Sequence, residues 1–131
     1  MFFKKPKLLI VEDETQVREG LATFFKRRGY EVFETDNEDE AVGLYDTHQP
    51  QFVFLDIRLK NSSGIEALKR MRRINTEPKI IMVTAIEEEN LIREAKELGA
   101  DDYIPKPFTV KQLEQFLNAK LSILRLKTKK E

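Results

Sequence analysis

The sequence predicts an α/β protein, a doubly wound parallel sheet of five strands with helices on both faces. Three observations carry this expectation. Five short apolar runs alternate with five segments of helical periodicity along 131 residues, and such alternation calls for parallel strands joined by right-handed crossovers. The central run, Phe52 to Leu55, is apolar at every position, the pattern of a strand buried on both faces. Two runs also lead directly into acid: Lys7–Val11 into Glu12 and Asp13, and Phe52–Leu55 into Asp56. The carboxyl edge of an open α/β sheet is where ligands bind, so Asp56 reads as a reacting group, a metal ligand or a helix cap.

Lys7 to Val11 is the first strand. Val17, Leu21, Phe24 and Phe25 then fall at i, i+4, i+7 and i+8, one face of a helix that Gly29 can end in the left-handed conformation. Tyr30 to Thr35 alternates as the second strand. Asn37 and Glu40 form a capping box without the usual hydroxyl, ahead of a helix striped by Ala41, Leu44 and Tyr45. Pro50 separates that helix from the third strand. Arg58 to Ser63 reads as a polar loop, with Gly64 where a tight turn or a close helix approach needs it. A helix through Leu68 and Met71 follows, and Pro78 opens the fourth strand, Lys79 to Val83, which ends in the hydroxyl of Thr84. Leu91, Ile92, Ala95 and Leu98 make the fourth helix, stopped by Gly99. Asp102 to Ile104 is a short last strand leading into Pro105, Lys106 and Pro107. Thr109 with Gln112 is a capping box for a final helix striped by Val110, Leu113, Phe116, Leu117, Leu121 and Leu124. Residues 1–124 are thus expected to form one domain. The basic tail 125–131 reads as charge solvating a fraying helix end, or as a linker to an output domain.

Lys plus Arg equals Asp plus Glu, 23 each, so no overall field favours nucleic acid or a membrane. The absence of cysteine excludes disulfides, thiolate catalysis and cysteine-based zinc sites. The opening MFFKKPK lacks the apolar core of a signal peptide, and no apolar run approaches ~18 residues. The expectation is a soluble, cytoplasmic protein. His48, the single histidine, reads as surface in a polar turn, and Glu87 to Glu89 as a solvated first helical turn favoured by the helix dipole.

The strand ends collect an organised set: Glu12 and Asp13 after the first, Asp56 after the third, Thr84 after the fourth and Lys106 after the fifth. If the strand order is 2-1-3-4-5, the first and third strands are neighbours and all three acids converge in one crevice. Like charges raise one another's pKa unless a cation intervenes, and oxygen-only ligands with room for water suit Mg²⁺. Lys106 adds a fixed positive charge and Thr84 a donor, which together describe a phosphoryl cradle around a carboxylate nucleophile. Singly, each residue has a plainer reading: Asp13 as a cap of the first helix, Lys106 as a solvated turn residue, Tyr103 as a strand aromatic packed halfway into a core.

From LLIVED through GADDYIPKPF, these residues resemble the response-regulator receiver domain, a likeness that covers nearly the whole chain. The resemblance implies the flavodoxin-like (βα)5 fold in the order 2-1-3-4-5. It implies that Asp56 takes a phosphoryl group from a phosphohistidine on a sensor histidine kinase or a histidine phosphotransfer protein. Glu12, Asp13, Asp56 and the backbone carbonyl of Arg58 would arrange Mg²⁺, and Thr84 and Lys106 would bind phosphoryl oxygens. Thr84 and Tyr103 would form a switch, with a cis peptide bond before Pro107. The face made by the fourth helix, fifth strand and fifth helix would then bind an output partner, an output domain or a second copy. Such a module is a phosphoprotein with self-catalysed phosphotransfer and autodephosphorylation rather than an enzyme, and this domain would not itself bind nucleic acid or membrane.

Three departures from the family pattern stand out. Lys60 replaces a usual proline, Pro105 replaces a small or β-branched residue, and Arg58 and Ile86 occupy positions that tune phosphoryl lifetime, here toward slow hydrolysis. Three other readings fit less well. An aspartyl-phosphate hydrolase of the haloacid dehalogenase type needs a second Asp where Arg58 stands. A docking module without phosphoryl chemistry has no use for the intact five-residue set. A flavodoxin needs hydroxyls and amides where the first loop offers two acids.

Overall fold

The central strands are apolar at successive positions, so they feed two cores at once and require helices on both sides. The computed structural model describes residues 5–85 and 89–119. Its main sheet contains β1 (Lys7–Val11), β2 (Glu31–Thr35), β3 (Phe52–Leu55), β4 (Lys79–Thr84) and β5 (Asp102–Pro105), all paired in parallel in the order β2-β1-β3-β4-β5. The helices are α1 (Thr15–Arg27), α2 (Glu38–His48), α3 (Gly64–Ile74), α4 (Glu89–Glu97) and α5, residues 110–119. This is the flavodoxin-like order 2-1-3-4-5 that the family resemblance implies. On one face Leu8, Ile10, Phe52, Phe54, Ile81 and Val83 pack with Leu21, Ala22 and Phe25 of α1 and Leu113 and Leu117 of α5. On the other, Leu9, Val11, Val53, Leu55, Ile80 and Met82 meet Ala41 and Tyr45 of α2, Leu68 and Met71 of α3, and Ala95 of α4. All four residues of β3 are buried.

The punctuation follows local chemistry. Gly29 (φ 92°) and Gly99 (φ 106°) take the left-handed conformation just after α1 and α4. Asn37 Oδ1 accepts from the Glu40 N–H at 2.9 Å, and Thr109 and Gln112 cap one another reciprocally at 3.1 and 2.8 Å. Gln49 ends α2 at φ 47°, a left-handed position without a glycine.

Several expectations need correction. Arg58 to Ser63 is not simply a polar loop but a short antiparallel ribbon, with Arg58 opposite Ser63 and Leu59 opposite Ser62. Ile57 and Leu59 are buried and anchor it, and the Ser63 hydroxyl accepts from the Ile65 N–H to cap α3. Asp13 does not cap α1: Glu14 holds the cap position without a side-chain cap bond. Lys106 is no solvated turn residue, its side chain being only 15% exposed. His48 closes α2 half-buried and stacks on Phe33, with centroids 4.0 Å apart and planes at 16°. β5 runs one residue further, to Pro105, which an edge strand tolerates. The expectations for Ile86, Glu87, Glu88, Leu121, Leu124 and residues 125–131 lie outside the described residues. Among the described residues no helix is long and apolar enough to cross a membrane.

Candidate functional site

The register brings the site together. Val11 pairs with Leu55 and with Thr35, so Glu12 and Asp56 emerge side by side just past the paired strands. The ladder runs one bond further: the Glu12 N–H donates to the Thr35 carbonyl at 3.0 Å and the Asp56 N–H to the Val11 carbonyl at 3.1 Å. On the other side Thr84 pairs with Pro105, and the Lys106 N–H reaches the Thr84 carbonyl at 3.0 Å.

One carboxylate oxygen from each of Glu12, Asp13 and Asp56 lies within 4.8 Å of the other two. Glu12 and Asp56 are 3% and 5% exposed, while Asp13 is half-buried. The Lys106 ammonium bridges the buried pair, 2.5 Å from Glu12 Oε1 and 2.7 Å from Asp56 Oδ2, with Glu14 Oε1 further out at 3.6 Å. The second oxygen of each buried carboxylate accepts an N–H two residues downstream, Glu14 onto Glu12 Oε2 and Arg58 onto Asp56 Oδ1, both at 3.1 Å. These bonds fix both carboxylates at the mouth of the sheet.

Burial, joined by the neighbouring charge of Asp56, holds the Glu12 carboxyl above the usual carboxylate range; the bonds from Lys106 and the Glu14 N–H offset only part of this. Burial disfavours the Lys106 ammonium, but hydrogen bonds and charge from Asp56 and Glu12 outweigh it and raise its pKa. Three carboxylates face one ammonium in the cluster, a surplus of negative charge that suits a hard divalent cation. The all-oxygen donor set and the solvent access at Asp13 fit Mg²⁺ with some of its waters retained.

Thr84 ends β4 and is buried, and the half-buried Tyr103 directs its hydroxyl to the Thr84 carbonyl at 3.4 Å. Arg58 meets Asp56 through its backbone N–H, and its side chain is exposed. The Lys106–Pro107 bond is cis. Gly64 lies where a Cβ would stand 2.0 Å from the Asp56 carbonyl oxygen. Two residues near the cluster escape the sequence reading, Glu14 and Arg18. Arg18 Nη1 donates to the Glu12 backbone carbonyl at 2.9 Å, and its Nε lies 3.4 Å from Glu34 Oε1. A cation in the opening turns of a helix sits at the unfavourable end of the dipole, a signal that such a residue has specific partners.

The family model for the response regulator receiver domain matches residues 8–118. Sporulation initiation phosphotransferase F of Bacillus subtilis is 36% identical over 107 residues, a match covering 82% of this chain and 86% of that protein. The phosphate regulon transcriptional regulatory protein PhoB of Pseudomonas aeruginosa is 39% identical over 116 residues, covering 87% of this chain but 51% of the regulator, so the chain spans about half its length. Among solved structures, a CheY-like response regulator receiver domain protein from Methanospirillum hungatei JF-1 matches with a TM-score of 0.88 at 25% identity, covering 94% of this chain and 98% of that one.

Proposed function

Because the chain belongs to the response-regulator receiver family of two-component systems, we propose that Asp56 is its phosphoryl acceptor and that the edge of β1, β3 and β5 is the site of transfer. The observation that carries this reading is a buried carboxylate at the carboxyl end of the central strand, 2.7 Å from Lys106 Nζ and grouped with two further acids.

A carboxylate oxygen of Asp56 attacks the phosphorus of a phosphohistidine on a sensor histidine kinase or a histidine phosphotransfer protein. The P–N bond breaks as the O–P bond forms, and the imidazole nitrogen keeps the electron pair and takes up a proton. Lys106, already hydrogen-bonded to Asp56, follows the incoming phosphoryl oxygens as a fixed positive charge, and the Thr84 hydroxyl donates to them. Glu12, Asp13, Asp56 and the Arg58 backbone carbonyl would hold Mg²⁺, which supplies the charge neutralisation that an anionic donor needs to approach the acids. Tyr103, tied to Thr84, passes the event to the α4–β5–α5 face, which engages an output partner or domain or a second copy. In this reading residues 1–124 are the receiver and 125–131 its basic tail.

Treatment with acetyl phosphate, followed by mass spectrometry, tests the assignment. The expected outcome is one Mg²⁺-dependent phosphoryl group on Asp56, absent in Asp56→Asn. A group mapped to another residue, or undiminished labelling of Asp56→Asn, would overturn it.

A further inference from the structure

Arg18 occupies an unusual position. It lies in the opening turns of α1, where the dipole favours anions, yet its side chain is only 14% exposed. Its guanidinium turns back out of the helix and holds two groups: the Glu12 backbone carbonyl through Nη1 at 2.9 Å and the Glu34 carboxylate of β2 through Nε at 3.4 Å. Glu12 is otherwise pinned on three sides, by its N–H to Thr35, by Lys106 on Oε1 and by the Glu14 N–H on Oε2. The peptide plane joining Glu12 to Asp13 has Arg18 on its oxygen. Rotation of that plane swings Asp13, the half-buried member of the acid cluster and the one that reaches solvent.

From this geometry we infer that Arg18 is a positioning residue for the cation site: braced on Glu34, it locks the Glu12–Asp13 peptide and so fixes the Asp13 carboxylate against Glu12 and Asp56. The inference rests on the metal-dependent reading of the site and adds a residue that touches neither the cation nor the phosphoryl group. An arginine suits the task because its planar fork serves two acceptors at once, which a lysine ammonium on a flexible stem does less well. Loss of an outer-shell partner typically weakens metal binding 10–100-fold. Arg18 acts through one backbone carbonyl, so its removal should sit near the lower end, about tenfold.

The test is a Mg²⁺ titration followed by amide chemical shifts in wild type, Arg18→Met, Arg18→Lys and Glu34→Gln, with melting temperatures measured in EDTA. The expected result is a Kd about tenfold higher in Arg18→Met, partial recovery in Arg18→Lys and a smaller loss in Glu34→Gln. Metal-free melting temperatures should fall most in Arg18→Met, as the loss of a mostly buried guanidinium requires, so the role is read from the Kd at a temperature where every variant is folded. If Arg18→Met does not fold, Arg18→Lys and Glu34→Gln still decide, since both should bind more weakly than wild type. Wild-type affinity in every folded variant would overturn the role of Arg18 and leave the site itself standing. A wild type that binds no Mg²⁺ would remove the reading of the site, and this inference with it.

Discussion

Substituting Gly64 by alanine should be the most disruptive single-methyl change in the β3–α3 connection. The added Cβ would stand 2.0 Å from the Asp56 carbonyl oxygen, 2.8 Å from its carbon and 2.9 Å from Ile57 Cα, all of them backbone. The two segments would have to part by about 1 Å to reach the 3.0 Å below which Cβ contacts are essentially never found. That displacement would stretch the 2.8 Å bond from the Gly64 N–H to the Ile57 carbonyl beyond useful length. One lost hydrogen bond costs about 1 kcal/mol and overpacking about 1–3 kcal/mol, while the glycine-to-alanine change returns up to ~1 kcal/mol of chain entropy. The net is a destabilisation of about 1–4 kcal/mol, whose middle corresponds to roughly 10 °C in Tm for a chain of this size. Thermal melts by circular dichroism should show it. Gly20→Ala and Gly43→Ala serve as controls, because a Cβ at either helical position meets nothing within 4 Å. They should stabilise by about 0.5–1 kcal/mol. A Gly64→Ala protein melting within about 2 °C of wild type would refute the steric reasoning.

Three further outcomes follow from the same geometry. Mg²⁺ should raise the melting temperature, by about 2.7 kcal/mol of stabilisation at a hundredfold excess over Kd, and Asp13→Asn should shrink the effect; unmoved melting curves at millimolar Mg²⁺ would count against the acid pocket as a cation site. Arg72, 10% exposed, binds Asp101, the Gly99 carbonyl and the Tyr45 hydroxyl, so Arg72→Met should cost about 2 kcal/mol in urea unfolding, less than a fully buried pair because Asp101 keeps solvent access. Burial raises the Tyr45 hydroxyl above its ordinary 10.0 despite the opposing charge of Arg72. A group whose folded pKa is raised gives stability that is complete below the unfolded value and lost as pH climbs through the folded one. Wild type should therefore weaken relative to Tyr45→Phe from about pH 10 upward, and parallel stability curves for the two proteins would contradict this.

The sheet was legible because its strands are fully buried and its turns are marked: Phe52 to Leu55 admits one reading, and Gly29 and Gly99 stand where the chain reverses. The ribbon was not, since Ile57 and Leu59 are too few to show a period and are buried only by what packs over them. Nor was the stacking of His48 on Phe33, which depends on α2 lying beside β2. At the site, the meeting of Glu12, Asp13 and Asp56 could be read once the strand order was assumed, because strand ends fix where side chains emerge. The grip of Lys106 on Glu12 spans 94 residues of separation and could be anticipated only as a charge nearby. Arg18 was hidden for another reason: what it holds is a backbone carbonyl, and every residue has one.

β5 lies at the rim of the sheet with its residues half-buried or exposed, whereas all four residues of β3 at the centre are buried. Proteins open in steps, and amides at such a rim exchange through openings far smaller than global unfolding. Lys106 follows β5 directly and is bonded across to the ends of β1 and β3. It therefore acts as a mooring line: β5 cannot peel away without parting an ammonium from two buried carboxylates. Beside the ladder to β4, the acid cluster thus adds to the cost of opening the rim, and anything that draws Lys106 off Glu12 and Asp56 should make that opening more frequent.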